Sequence, residues 1–253
     1  MLTVENRGMG LSDVVPGRWT TNKMARDALY LLDHLGWKEN VHVVGLSMGG
    51  MIAQELCKVG KGRIASLTLL STIAGGMHSL AYFLYCLPTG VQLVFRTNFA
   101  SSGRERLKNA LAILYPQSFL EKEVPHPTDP GKTTTNFHIY RKTLINRALD
   151  EQKRGIPTAK NSSVMKQVLA VTTHRVTKEE LQDISKSVNG NVLIVTGDED
   201  ILVHMQNSFK LNEGLNAKTF LVIGGGGHGV FEQEPLTVNR EIEKLALGAV
   251  SKL

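Results

Sequence analysis

A serine flanked by glycines is the residue of this sequence whose setting most clearly indicates chemistry. It lies in the stretch Gly45-Leu46-Ser47-Met48-Gly49, which has the G-x-S-x-G spacing of a turn that presents a nucleophile. Gly45 and Gly49 allow a turn too tight for larger side chains, and such a turn lifts the Ser47 hydroxyl to the end of a sheet. The Met48 backbone N–H would then point to where an oxyanion forms. The alternative is a glycine-rich connection in which the serine caps a helix.

A serine hydroxyl is a poor nucleophile at neutral pH and needs a base, which is usually an oriented histidine. Of the eight histidines, His228 is the best placed, because it follows a predicted strand and lies within the glycine-rich stretch 224–229. Glycines let such a loop bend and bring the imidazole close to another backbone. The alternative is a flexible loop with an incidental histidine. His42 lies within a predicted strand and is expected to be packed or partly exposed.

An acidic group is needed to hold the imidazole in its productive tautomer. The stretch Asp198-Glu199-Asp200 follows another predicted strand, and either aspartate could serve. The chain order of serine, acid and histidine holds for Ser47, Asp200 and His228. The acids of this stretch that do not serve are expected to lie in a solvated loop.

Alternating strands and helices in the two ends of the chain must position these groups. Apolar residues spaced by three and four predict a helix over Thr21–Leu35, and Gly36 follows as its cap. Short apolar runs predict strands, several of which are followed by helices. The predicted strands are 41–44, 64–70, 192–195 and 219–223, and the further predicted helices are 48–57 and 235–247. This alternation indicates an α/β fold.

The middle of the chain has more charges and no strand-like runs. We predict a loop over 125–131 and an apolar helix over 77–87, with further helices at 104–115, 137–152, 161–171 and 177–187. The chain is therefore predicted to have a core of residues 1–73 and 190–253 and a helical cap of residues 74–189. Glycine and proline break the uncharged run before Arg96, so no transmembrane span is expected.

Composition narrows the classes of partner. The net charge of +6 comes from residues 101–180, which hold 14 basic and 8 acidic residues. We expect a solvated helical surface there, and attraction to an anionic lipid face or a phosphate-bearing substrate is the alternative. Sparse aromatic residues and the lack of a recognisable binding module argue against nucleic acid. Two cysteines without metal-ligand spacing predict a reducing compartment, with no disulfide scaffold, metal or cofactor.

The two ends of the chain bear on targeting. The last three residues, Ser251-Lys252-Leu253, match the address that the peroxisomal import receptor reads, and a chance ending is the alternative. The first residues show no signal-peptide pattern, so secretion is not expected. We therefore expect a peroxisomal protein with the import receptor as a partner, and otherwise a cytoplasmic one.

Two segments resemble the α/β-hydrolase superfamily in its cap-bearing lineage. One is Glu5-Asn6-Arg7-Gly8-Met9-Gly10-Leu11-Ser12, which is similar to the family's D-x-R-G-x-G-x-S turn with glutamate in the first position. The other runs from residue 35 to 51 and includes the serine turn. The resemblance covers roughly residues 1–72 and 191–250. It implies an α/β-hydrolase fold, with a mostly parallel sheet, helices on both faces and a helical cap insertion.

Two shorter patterns of the family also map onto this chain. Its G-x-x-D pattern falls on Gly197 and Asp200, and its G-x-G-H pattern falls on Gly225, Gly227 and His228. The resemblance therefore favours Asp200 over its neighbouring acids as the group that orients the histidine.

The resemblance further implies that the chain begins inside the family's fourth strand, so the first strands are expected to be missing. In the family's sheet, strand three lies between strands four and five, and the loop after it supplies the second oxyanion donor. Its absence would leave unpaired backbone groups in the sheet. The loss of one oxyanion donor typically costs about 10²–10³ in rate. Direct pairing of strands four and five is the alternative.

These residues and the resemblance imply a serine hydrolase that cleaves a carboxylic ester or thioester through an acyl-enzyme on Ser47. The apolar stretch 77–87 and the C-terminal tripeptide favour a lipid-like acyl substrate. Hydrolysis of C–C bonds and perhydrolysis use the same triad in the family and stay open. Epoxide hydrolysis and dehalogenation are disfavoured, because those relatives carry an aspartate in place of Ser47. The alternative class is a non-catalytic, shortened relative that binds a ligand or partner, or that does not fold alone.

Overall fold

The computed structural model describes residues 1–75, 97, 100 and 102–250. Its strands are β1 (Val41–Leu46), β2 (Ile64–Leu70), β3 (Glu123–Pro125), β4 (Thr133–Thr135), β5 (Val192–Gly197) and β6 (Thr219–Ile223). Its helices are α1 (Thr21–His34), α2 (Met48–Val59), α3 (Gly103–Leu114), α4 (Gln117–Glu121), α5 (Asn136–Lys153), α6 (Asn161–Thr172), α7 (Lys178–Ser187), α8 (Gln206–Leu215), α9 (Val230–Gln233) and α10 (Pro235–Val250). The predicted helix 77–87 and the tripeptide Ser251-Lys252-Leu253 lie outside the described residues.

Four strands form a parallel sheet in the order β1-β2-β5-β6. All six residues of β5 are buried, as is usual for an interior strand of a parallel sheet that is covered on both faces. Because the strands are parallel, their carboxyl ends meet at one edge of the sheet. The segments that follow β1, β5 and β6 therefore all leave from that edge, where ligands bind in open α/β sheets.

Helices cover both faces of the sheet through two hydrophobic clusters. One cluster joins α1, α2, α7 and α8 to the sheet and includes Ile194 of β5. The other joins α10 to the opposite face and includes Leu193 and Val195 of the same strand. This alternation is the two-residue period of a strand, and it produces the layered α/β architecture that the sequence predicts. Within the described ranges, no helix is long and apolar enough to cross a membrane.

Helix α7 packs into the core cluster, although its sequence lies in the predicted cap block. A capping box begins the helix, since the Thr177 hydroxyl accepts from the Glu180 N–H and the Glu180 carboxylate accepts from the Thr177 N–H. The buried side chains of Leu181 and Ile184 belong to the same cluster as the sheet residues. The core cluster thus includes residues of the predicted cap block, and the predicted boundary at residue 189 stays a prediction.

A short antiparallel hairpin lies within the block that the sequence predicts to be free of strands. Strand β3 pairs with β4, with Glu123 opposite Thr135 and Pro125 opposite Thr133. The predicted loop over 125–131 forms most of the hairpin's turn. The prediction of a strand-free middle block is wrong at this point, because strands of three residues are too short to show the alternation that identifies a strand.

Residues 1–20 contain turns but no regular strand, so the fourth strand implied by the resemblance does not form. The Glu5 carboxylate accepts from the Leu11 N–H at 2.8 Å, and Arg7 donates twice to Asp27 of α1 at 2.7 and 2.8 Å. The segment is thus a turn tied to α1. In the described sheet β1 pairs with β2 alone, and a groove of about 510 Å³ separates β1 from residues 1–4.

Candidate active site

Ser47 has a strained backbone conformation between β1 and α2. Its φ of 52° and ψ of −119° lie in a region that residues other than glycine rarely adopt. Such strain persists only where the surrounding structure enforces it, and it is frequent at active sites. The side chain is partly exposed and makes no capping hydrogen bond to α2. The alternative interpretation of a capping serine is therefore excluded.

The turn does not need all of its glycines equally. A Cβ on Gly45 would overlap the carbonyl oxygen of Gly49, and a Cβ on Gly50 would lie 2.6 Å from Thr72 Cβ. A Cβ on Gly49 would meet no atom within 4 Å. The turn therefore requires Gly45 and Gly50. The predicted elbow glycine Gly49 faces open space, so this geometry does not show why a glycine stands there.

Hydrogen bonds to β2 and to Thr72, two residues after it, hold the Ser47 turn. The Ser47 N–H donates to the Leu70 carbonyl at 2.9 Å, and the Thr72 hydroxyl donates to the Ser47 carbonyl at 2.6 Å. The Met48 N–H is the first of α2 and, within the described structure, makes no backbone hydrogen bond. It lies at the positive end of a 12-residue helix, so it can donate to a negative oxygen beside Ser47.

His228 and Asp200 form a buried hydrogen-bonded pair. His228 Nδ1 lies 2.9 Å from Asp200 Oδ2, and the two residues are 5% and 2% exposed. The other carboxylate oxygen accepts from the backbone N–H groups of Leu202 at 2.9 Å and Val203 at 2.8 Å. An ionised carboxylate only accepts, so the imidazole directs a protonated Nδ1 at Asp200 and leaves Nε2 as an acceptor.

The two acids before Asp200 have other positions. Asp198 is exposed, and its Oδ1 accepts from the Gly225 N–H at 2.8 Å. Glu199 is also exposed, and its N–H donates to the Gly226 carbonyl at 2.9 Å. Asp200 therefore contacts the imidazole, whereas Asp198 holds the loop that carries it.

Glycines let the His228 loop lie directly against the end of β5. A Cβ on Gly197 would overlap the Gly226 carbonyl oxygen, so the two backbones touch. The Gln233 side chain spans the loop, because it accepts from the Gly227 N–H at 2.6 Å and donates to the Gly225 carbonyl at 3.0 Å. Sequence reasoning missed Gln233 and Thr72. No spacing signal marks either residue, since each acts through backbone groups that the fold brings near.

The three predicted residues leave the same edge of the sheet, but the structure joins only two of them. Ser47 follows β1, Asp200 follows β5 and His228 follows β6. The hydrogen bonds of the described residues include the His228–Asp200 pair and none from Ser47 Oγ to His228. The predicted serine–histidine contact stays a prediction. Across the described part of the chain, no three His, Cys, Asp or Glu side chains form a group that could hold a metal ion.

Comparison with known proteins decides the family. A sequence model described as the alpha/beta hydrolase fold matches residues 1–235, which is most of the chain. The chain belongs to the α/β-hydrolase family. The resemblance seen in the sequence and the fold class that it implies are thus confirmed.

Relatives of this α/β-hydrolase match nearly its whole length at low identity. A Caulobacter vibrioides protein named as a candidate carbamate hydrolase, RutD, is 26% identical over 251 residues, which are 98% of this chain and 81% of the relative. The crystal structure of BpoC from Mycobacterium tuberculosis H37Rv, named as a candidate non-heme bromoperoxidase, has a TM-score of 0.69 at 20% identity, covering 97% of this chain and 80% of that one. A thermophilic esterase from Thermogutta terrifontis has a TM-score of 0.64 at 20% identity, covering 97% and 78%. The two structural likenesses show the fold.

Proposed function

We propose that this α/β-hydrolase is a serine hydrolase that cleaves a carboxylic ester or thioester through an acyl-enzyme on Ser47. The observation that carries the proposal is the buried His228–Asp200 pair at the same sheet edge as the strained Ser47 turn. Acyl transfer needs a serine in such a turn, a histidine held by a carboxylate and an N–H that can donate to the oxyanion. The Met48 N–H at the start of α2 can serve as this donor, since it makes no backbone hydrogen bond among the described residues.

In the proposed reaction, His228 Nε2 accepts the Ser47 proton as Oγ attacks the substrate carbonyl carbon. The Met48 N–H donates to the oxyanion that develops, and Asp200 stabilises the imidazolium. The imidazolium then protonates the leaving alcohol or thiol, and Ser47 is left acylated. A water molecule that gives its proton to His228 attacks the acyl carbon, which releases the acid and restores the serine hydroxyl.

The proposed substrate carries an apolar acyl group. A cavity of about 780 Å³ supports this class, since it lies between α3, α4 and α5 and adjoins the loops after β5 and β6. Its lining includes the apolar side chains of Leu111, Ile113, Leu120, Phe137 and Ile201, and Gly227 beside the histidine borders it. The names of two relatives, a candidate carbamate hydrolase and an esterase, denote cleavage at a carbonyl carbon and agree with this reaction class.

Labelling with a fluorophosphonate probe tests the nucleophile. We expect the wild-type chain to be labelled and Ser47→Ala to lose the label, because the probe reacts with an activated serine. Ser208→Ala is the matched control, since Ser208 is a buried serine of α8 outside the proposed site. Hydrolysis of p-nitrophenyl esters with short and long acyl chains then measures the preference for apolar substrates. Equal labelling of wild type and Ser47→Ala would overturn the proposal.

A second candidate function is binding of a ligand or partner without catalysis. It is favoured by one observation, namely that no hydrogen bond joins Ser47 Oγ to His228 within the described residues. The two functions separate in one experiment on folded protein. A chain that melts cooperatively but neither takes the label nor turns over ester would be the non-catalytic relative.

A further inference from the structure

The loop that carries His228 consists almost wholly of glycine, so groups outside it must fix the imidazole. Residues 224–229 contain one residue other than glycine. Glycine loses more conformational freedom on folding than any other residue, so such a loop does not hold one shape by itself. Asp198 and Gln233 hold the half before His228 through Gly225 and Gly227. The residue after the histidine, Gly229, is held by a different element.

The end of α3 lies against the residues on both sides of His228. The Gly229 N–H donates to the Leu114 carbonyl at 2.7 Å. A Cβ on Gly227 would lie 2.6 Å from that same carbonyl oxygen, and a Cβ on Gly229 would lie 2.6 Å from Cε1 of Tyr115. Helix α3 therefore approaches the histidine loop so closely that only glycine fits before and after the imidazole-bearing residue.

A polar cluster fastens this contact. Tyr115 is 2% exposed, and its hydroxyl donates to the carboxylate of Glu232 in α9, the helix that follows the loop. Tyr140 of α5 donates to the Glu232 carbonyl at 2.8 Å, and Arg147 Nη2 lies 3.4 Å from Glu232 Oε1. Burial and then the Glu232 carboxylate raise the pKa of the Tyr115 hydroxyl, so it stays protonated and remains a donor.

We propose that Tyr115 and Glu232 are positioning residues for His228, because they fix its loop between α3 and α9. This inference rests on the proposed function, since the position of the imidazole matters to catalysis only if it serves Ser47. The Tyr115 hydroxyl acts through Glu232, whereas the contact with Gly229 belongs to the Tyr115 ring. Without that hydroxyl the loop gains freedom, the His228–Asp200 hydrogen bond weakens, and the imidazolium form is stabilised less.

The substitution Tyr115→Phe tests the inference, because it keeps the ring and removes only the hydroxyl. We expect kcat for an ester to fall about tenfold to a hundredfold with KM unchanged. The acid limb of kcat/KM should move to lower pH, because it reports the base in the free enzyme. NMR of isotope-labelled histidine, assigned with His228→Gln, should show the imidazole titrating at lower pH. Tyr30→Phe in α1 is the matched control, since that ring is 72% exposed, and it should change none of these.

Two variants of Glu232, the acceptor of the Tyr115 hydroxyl, test whether the hydrogen bond itself matters. Glu232→Gln keeps an acceptor for the tyrosine hydroxyl and should retain the wild-type titration, whereas Glu232→Ala should reproduce the effect of Tyr115→Phe. A merely structural role would lower Tm while leaving the acid limb and the imidazole titration in place, and that result would overturn the inference. If the wild-type chain turns over no ester, a changed imidazole titration in Tyr115→Phe still supports positioning while the proposed function fails.

Discussion

Asp198 and Asp200 are two residues apart, and their hydrogen bonds give them different roles. Asp200 contacts the imidazole, whereas Asp198 binds the loop backbone at Gly225. For the proposed reaction, Asp200→Asn should lower kcat about 10⁴-fold, because the amide favours the wrong imidazole tautomer. Asp198→Asn keeps an oxygen that accepts from Gly225 and should stay near the wild-type rate. Ester hydrolysis by the two purified variants measures the difference, and equal losses would contradict the assignment.

The sequence can indicate Ser47 and His228 as candidates, but it does not show which acid contacts the histidine. The flanking glycines draw attention to Ser47 and His228, because particular backbone turns require glycine. Both aspartates follow the same strand, and the choice between them came from the resemblance rather than from their chemistry. The deciding contacts are the two backbone N–H groups that hold the Asp200 carboxylate, and these depend on the path of residues 200–203.

The connection between β1 and α2 gives a test at the scale of the elements. Gly50→Ala places a methyl group 2.6 Å from Thr72 Cβ and should destabilise the fold by about 1–3 kcal/mol, since the well-packed site must shift. Gly49→Ala faces open space within α2 and should be neutral or stabilising by up to about 1 kcal/mol, because alanine favours a helix more than glycine does. Urea unfolding of both variants measures the free energies, and a loss in both would count against the stated geometry.

Elements with strong apolar patterns can be predicted closely, whereas elements shaped by packing cannot. Strands β2 and β6 begin and end where their apolar runs do. Helix α8 is not predicted from the sequence, and Gly214 within it weakens the helical pattern. The structure explains that glycine, since a Cβ there would lie 2.7 Å from Leu181 Cβ of α7. Gly214 thus lets α7 and α8 approach closely, and the same glycine weakens the sequence pattern that would predict α8.

At the scale of the whole molecule, His174 links distant parts of the chain and makes stability depend on pH. It is buried, its Nδ1 lies 2.9 Å from the Thr21 hydroxyl, and its Nε2 has no hydrogen-bond partner in the described structure. Burial, and then Lys58, lowers the pKa of His174 to about 4, while Glu180 opposes the shift. As the pH falls below 6.5, His174 becomes protonated in the unfolded chain, whereas in the folded chain it stays neutral until about pH 4.

The free energy of unfolding should therefore fall as the pH drops from 6.5 towards 4, and His174 should account for about 3 kcal/mol of this fall. The full contribution is present above pH 6.5. His174→Gln removes the titrating group and should flatten this part of the profile, whereas His34→Gln on the exposed end of α1 should leave the slope unchanged. Urea unfolding across the pH range measures both, and identical slopes in wild type and His174→Gln would refute the prediction.

The arrangement of the whole molecule is what the sequence predicts least. Periodicity identifies an apolar face on α7, but it does not say whether that face meets a cap or the core. In the structure, Leu181 and Ile184 pack with the sheet, although they lie in the predicted cap block. The division into a core and a cap of residues 74–189 stays a prediction. The family match over residues 1–235 confirms the fold class.

The strand order has a consequence for how far the histidine must reach. Neighbouring strands stand about 4.8 Å apart, so the ends of β1 and β6 are separated by roughly 14 Å across β2 and β5. No imidazole covers that span from its own strand. The segment after β6 folds back over the end of β5, where Gly197 and Gly226 touch, and carries His228 part of the way. The length and course of this backbone bridge, rather than any side chain, set the distance left between His228 and Ser47, the proposed base and nucleophile.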